Sequence, residues 1–211
     1  MGFINHNEAK PTGSAADKAK QIINDCGGII RTTEAIKAGI HPRIIYQLRD
    51  SGELEQLSRG IYRLKVLDEI SNPDLVIVST RIPRAIICLI SALAYHEITT
   101  QIPHKISIAL PRNSDTPRLD YPPIVIHRFS AVSFREGIEV HQIDGVSVKI
   151  YNPEKTIADC FKFRNKIGMD IVLEALKLYK TRMRFDVKKL LYFAKICRVD
   201  KIMFPYLEAS L

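Results

Sequence analysis

The chain has 211 residues, 46% of them hydrophobic and 26% charged. That length holds one large core or two small ones, and the composition excludes disordered and fibrous classes. The net charge of +8, from 31 basic and 23 acidic residues, favours polyanionic partners through phosphate contacts and counterion release.

The basic excess lies in residues 1–65 and 151–211, with a balanced middle. The longest apolar run, "AIICLI" at 85–90, is far short of the roughly 20 residues of a membrane span, and the N-terminus has no secretory apolar core. His6 stands where a myristoylation motif wants Ser or Thr. A cytoplasmic protein with no membrane partner is expected. Cys26, Cys88, Cys160 and Cys197 are scattered, without zinc-ligand spacing, and each sits on an apolar helical stripe, so four buried thiols and no metal are expected.

In chain order, residues 1–14 read as a flexible tail. Ala16, Ala19, Ile22, Ile23 and Cys26 recur at helical spacing, and Gly27-Gly28 closes that helix. Thr32 or Thr33 caps a second, two-turn helix with Ala35, Ile36 and Ile40 inward and Gly39 as its stop. His41 and Pro42 open a third, which Gly52 ends. At 100° per residue, Ile44, Ile45 and Leu48 face a core, while Arg43, Tyr46 and Asp50 point away, flanked by Gln47 and Arg49. "LEQL" and "IYRL" then form two strands around Ser58-Arg59-Gly60, where glycine supplies the positive φ of a tight turn. Three short helices followed by a hairpin predict a winged helix-turn-helix domain over residues 15–68.

The texture changes at a joint near Lys65 to Asn72. "NPDLVIVSTRI" and "PRAIICLISALAYHE" read as helices, the second with Ala85, Cys88, Leu89, Ala92 and Leu93 inward. "HKISIAL", "IVIHRF" and "VSVKIY" alternate as strands, at least three between 104 and 151. "NPEKTIADCFKFR" opens a helix with Asn152 as cap and Pro153 in the first position, carrying Ile157, Cys160 and Phe161 inward. Further helices are expected near 169–180, 186–197 and 201–209. The fold class is thus α+β, a winged helix-turn-helix followed by a mixed α/β domain over 72–211 with a small sheet and several helices.

The outward face of the third helix suits duplex DNA: arginine forks onto guanine, glutamine pairs with adenine, and tyrosine flanks them. The candidate contacts are His41, Arg43, Tyr46, Gln47 and Arg49 on that helix, Arg59 and Arg63 on the hairpin, and Thr32 and Thr33 at a phosphate-binding helix N-terminus. The bland alternative is a solvated face used for protein contacts, which Asp50, Glu53 and Glu55 favour slightly. Glu136, Glu139 and Asp144 before Lys149 lack the acidic-x-Lys unit of a nuclease site and read as hairpin surface charges. The six histidines have no pairing at three or four residues. Lys177, Lys180, Arg182, Arg184, Lys188 and Lys189 form a denser basic cluster, most simply a solvated face. No phosphate loop, zinc-protease or nucleophile-elbow motif is present, so no cofactor and no catalysis are expected.

"GGIIRTTEAIKAGIHPRIIYQLRDSGELEQLSRGIYRL" (27–64) resembles the N-terminal domain of the AbiEi abortive-infection antitoxins and regulators. The likeness lies in the Gly-Gly turn, the Arg-Thr-Thr start, Leu48, Gly52 and Leu54, and Arg59-Gly60 with Tyr62. "SALAYHEITTQIP" (91–103) and "IYNPEKTIADCFKFRNKIG" (150–168) are similar to segments of that family's C-terminal antitoxin domain. The resemblance implies a toxin-antitoxin system: autorepression of the operon by binding inverted-repeat operator DNA, and counteraction of a nucleotidyltransferase-like toxin, whose own Gly-Ser and paired-aspartate signature is absent here. It implies DNA contacts at Thr33, Arg43, Tyr46, Gln47, Arg59 and Arg63. The rival readings are a stand-alone, ligand-responsive repressor and a nuclease guided by the winged helix.

Overall fold

The computed structural model describes residues 14–66 and 71–209, and the chain divides into two compact units, Met1–Glu69 and Ile70–Leu211. The expected tail lies almost wholly outside the described residues.

In the first unit, α1 (Ala15–Asp25) starts at a capping box: Ser14 Oγ accepts from Asp17 N at 3.1 Å, and the Asp17 carboxylate accepts from Ser14 N at 3.1 Å. A short strand, β1 (Ile29–Arg31), leads into α2 (Thr32–Lys37), followed by α3 (Pro42–Asp50), β2 (Leu54–Ser58) and β3 (Ile61–Leu64). The sheet order is β1-β3-β2, antiparallel throughout, with Ile29 and Glu55 both opposite Arg63. The core is Ala19, Ile23, Ile30, Ala35, Ile40, Ile45, Leu48, Leu54, Tyr62 and Leu64.

Four details differ from the sequence reading. The strand β1 replaces an expected direct step from the first helix to the second, and it makes β3 a central strand. The cap of α2 is Arg31, whose N–H is accepted by Glu34 at 3.4 Å, because Thr32 is already helical and tied to the hairpin. Ile36 is half exposed, since a two-turn helix has only one short inward face, filled by Ala35. Cys26 lies beyond the last turn of α1, off its stripe, and is exposed.

The second unit runs α4 (Pro73–Arg81), β4 (Ile86–Ile87), α5 (Leu89–Tyr95), β5 (Ile106–Pro111), β6 (Ile124–Phe129), α6 (Ala131–Arg135), β7 (Ile138–Ile143) and β8 (Val146–Tyr151). Five helices follow: α7 (Pro153–Lys162), α8 (Arg164–Ile167), α9 (Met169–Arg182), α10 (Val187–Cys197) and α11 (Asp200–Glu208). Eleven helices and two small sheets among the described residues make the chain α+β. The five-stranded sheet is mixed, in the order β6-β5-β4-β8-β7, with β5 parallel to β6, β4 parallel to β8, and the other neighbours antiparallel.

The segment 83–97, expected as one helix, is β4 followed by α5. An apolar run buried on every side carries no period that separates helix from strand. Here the chain passes through the middle of the sheet, Ile87 pairing with Ile108 and Ile150, before Leu89 turns at φ +47 into α5. Cys88 therefore sits between strand and helix, buried but on no helical stripe.

The centre of this unit is α7. Asn152 Oδ1 caps it by accepting from Lys155 N at 2.8 Å, and every residue from Glu154 to Phe161 is buried. Polar residues survive there because each is paired. Lys155, wholly buried, bonds Asp159 one turn on and lies over the Phe129 and Tyr151 rings at 5.0 and 4.2 Å. Cys197 Sγ donates to the same carboxylate at 3.1 Å. Tyr179 Oη donates to Glu154 at 2.8 Å. Around α7 pack α5, α9, α10 and α11 with Leu89, Leu93, Phe161, Val172, Leu176, Leu190 and Met203.

Candidate nucleic-acid interface

The third helix owes its position to three local choices. His41 Nδ1 accepts from Arg43 N at 3.2 Å, which satisfies one of the N-terminal donors. Pro42 fills the first position, where a missing N–H costs nothing. Ile45 and Leu48, fully buried, fix the rotation of the helix against the core, with Ile44 packed beside them.

That rotation leaves Arg43, Tyr46 and Gln47 exposed together. The side chains of Arg43 and Gln47 have no polar partner among the described residues, so both forks are open to a ligand. Arg49 is different. Its Nε and Nη2 donate to Asp50 Oδ1 at 2.9 and 2.8 Å, and its guanidinium lies 5.2 Å from the centre of the Tyr46 ring. It shapes the ring's edge and is engaged before any ligand arrives.

The hairpin places Arg59 at its exposed tip, beside Gly60 at φ +74, again with no partner for its side chain among the described residues. Arg63 is elsewhere. On the central strand it is only 6% exposed, with Nη1 3.6 Å from Glu55 Oε2 and its buried Nε unbonded. Sequence reasoning treated "IYRL" as one arm of a free hairpin. The unrecognised β1 on its other side makes the strand central, so Arg63 stands opposite Ile29 as well as Glu55.

Thr32 and Thr33 divide in the same way. Thr32 N and Oγ1 donate to Gly60 O at 3.0 and 3.4 Å, so Thr32 ties the hairpin turn to the start of α2. Thr33 is exposed. The Glu34 carboxylate reaching back to Arg31 N places a negative charge at the end that was expected to receive phosphate. The structure therefore brings His41, Arg43, Tyr46, Gln47 and Arg49 onto one helix, sets Arg59 on the hairpin tip, and withdraws Thr32 and Arg63 into internal contacts.

In the second unit the suspected carboxylates disperse. Glu136 accepts from Tyr192 Oη at 3.2 Å, Glu139 lies 3.4 Å from His141, Asp144 accepts from Ser71, and Lys149 donates to Pro83 O. Of the basic cluster, Arg182 donates to Glu97 O at 2.6 Å and Lys189 sits 3.8 Å from Glu154, while Lys177, Arg184 and Lys188 are exposed. His96 and His141, distant in sequence, lie 6.1 Å apart with Tyr95 against both. Nothing in a local motif announced that grouping, because a sheet edge and a helix end create it.

Arg43, Tyr46 and Gln47 thus share one exposed helix face, and Arg59 is exposed at the tip of the hairpin that follows. Residues 20–65 match the family described as "Transcriptional regulator, AbiEi antitoxin", so over that stretch the chain is similar to this family. The match spans all of β1, α2, α3, β2 and β3, and most of α1. No curated protein matches the sequence. Among solved structures, the chain is similar to that described as "Crystal structure of RV2827C protein from Mycobacterium tuberculosis". The TM-score is 0.49 at 15% identity, over 95% of this chain and 83% of that one.

Proposed function

We propose that this protein is a cytoplasmic antitoxin and autorepressor of a toxin-antitoxin operon, acting by binding and not by catalysis. Residues 15–68 form a winged helix-turn-helix that reads inverted-repeat operator DNA, and residues 72–211 counter a nucleotidyltransferase-like toxin. The observation that carries the reading is coincidence of place. The AbiEi match ends with the hairpin, and inside it lies a helix whose outward Arg43 and Gln47 are unpaired.

In this mechanism α3 enters the major groove. Arg43 and Gln47 meet base edges, Tyr46 lies between them backed by Arg49, and His41 sits at the end nearest the groove floor. Arg59 reaches a flanking phosphate or the minor groove, and Thr33 contacts the backbone. Thr32 and Arg63 serve the interface from behind, by holding the hairpin to α2 and to its neighbouring strands.

Fluorescence anisotropy on the protein's own upstream DNA against a shuffled duplex, at two salt concentrations, tests the reading. Preference for the upstream DNA should survive the higher salt. Arg43→Ala and Tyr46→Ala should erase that preference, at a cost of about 1–3 kcal/mol on the specific site for Arg43. Arg59→Ala should weaken both duplexes alike and lower the salt slope by about one. Equal loss on both duplexes for all three variants would refute the assigned readout. Co-expression with a nucleotidyltransferase-like toxin from the adjacent gene tests the second half: growth must recover, and without recovery the antitoxin role falls.

A further inference from the structure

The outer strand β7 is built to pair with itself. Its hairpin with β8 turns through Asp144 and Gly145, both at positive φ (48° and 78°), which is the two-residue turn of a tight hairpin. Such a turn makes Ile143 and Val146 a hydrogen-bonded pair, and the pattern then alternates: His141 with Val148 and Glu139 with Ile150 exchange bonds across the ladder. The N–H and C=O groups of Ile138, Val140 and Gln142 consequently point away from β8, toward the open edge of the five-stranded sheet.

That edge lacks the usual protections. It has no proline, lysine or bulge, and its outward-facing residues include Ile138 and Val140 at 36% and 60% exposure. The opposite edge, β6, is mostly half-buried. Among the described residues, no backbone group is bonded to Val140 or Gln142 from the open side.

We propose that β7 is the seam of a two-fold dimer of this chain, formed by antiparallel β7-to-β7 pairing about an axis through Val140. In that register Val140 exchanges both hydrogen bonds with Val140 of the partner, and each Ile138 meets a Gln142. All of these are residues whose backbone groups face outward. Glu139 then falls opposite His141 of the second copy, twice, in the non-bonded positions where side chains approach most closely. The strand is thus complementary to itself twice over, in its backbone groups and in a carboxylate acceptor set opposite an imidazole donor. Moving the axis by one residue to Glu139 would still pair the outward groups of Ile138 and Val140 with each other, but it would set carboxylate against carboxylate in a non-bonded position, so the side chains select the register through Val140. The inference is independent of operator binding and stands or falls separately from it.

Sedimentation velocity of the full chain from about 1 to 100 µM tests it, a range chosen because a strand-edge contact is a small interface. A reversible monomer-dimer equilibrium is expected. Val140→Pro removes the outward N–H while sparing the β8 ladder, and should raise the dissociation constant at least about tenfold. Val140→Lys changes only an exposed side chain, so it folds whatever the ladder does. It sets two ammonium groups together at the axis and should also give monomer. Glu139→Lys and His141→Glu should each weaken the dimer, and the double variant should recover it, with circular dichroism checking the fold because His141 touches Tyr95. A chain that stays monomeric throughout, a dimer that Val140→Lys leaves unchanged, or a folded double variant that fails to recover would overturn the proposal.

Discussion

At the scale of single residues, the decisive distinction is between side chains that are occupied and side chains that are free. Arg43 and Arg63 are chemically identical, yet one projects from α3 with no partner among the described residues and the other is buried against Glu55. The same logic fixes a pH response. His96 Nε2 donates to Tyr151 O at 2.8 Å, and burial pulls its pKa below the ordinary 6.5; burial, then the nearby Lys166, does the same to His127. A histidine whose folded pKa is depressed binds its proton more readily in the unfolded chain. Its stabilising effect is therefore present above about 6.5 and is lost as the pH falls toward the lowered folded value. The melting temperature of the second unit should drop between pH 7 and pH 5.5, and His96→Asn should flatten that slope. An unchanged slope in the variant would remove His96 from the account.

At the scale of elements, the connection between β7 and the centre of the fold is set by one glycine. Gly137, at φ +76, accepts from Asn152 N at 2.8 Å, and a Cβ there would lie 2.6 Å from Lys155 Cβ and 3.2 Å from Phe193. Gly137→Ala should therefore cost more than about 2 kcal/mol, because both conformation and space oppose it. Gly39, at φ +87 with nothing within 4 Å, pays for conformation alone, and Gly39→Ala should cost about 1–2 kcal/mol. Chemical denaturation of the two variants measures the difference, and equal losses would refute the crowding argument. Elements with local punctuation were legible in the sequence: His41-Pro42 and Asn152-Pro153 both begin helices in the structure. Elements whose identity depends on distant partners were not. Both β1 and β4 are short apolar runs that become strands only because β3, β5 and β8 lie beside them. The exposed helix face could be read from its 3.6-residue period. The burial of Arg63 could not, because Arg63 lies on a strand whose second neighbour comes from a segment thirty-odd residues earlier.

At the scale of the molecule, two cores of unequal size share one chain. Among the described residues, the first unit's cluster has ten buried apolar residues and the second's more than twice as many. Domains of about 60 residues bury a smaller share of their surface than larger ones and are marginal for it. Calorimetry should accordingly resolve two transitions, the smaller enthalpy at the lower temperature. The fragment 70–211 should retain the upper transition alone. A single cooperative transition, absent from the fragment, would show that the units fold as one.

The four thiols divide along the same line. Cys26 is exposed on the first unit, whereas Cys88, Cys160 and Cys197 are buried around the Asp159 carboxylate in the second. Burial pushes all three upward, Cys197 to about 12, so they persist as protonated thiols behind a packed wall. An alkylating reagent applied to the native protein should thus tag one sulfur at once and leave three waiting. Their later modification keeps time with the opening of the second unit, giving the chain an internal clock read by mass spectrometry while a dye on Cys26 reports from the first.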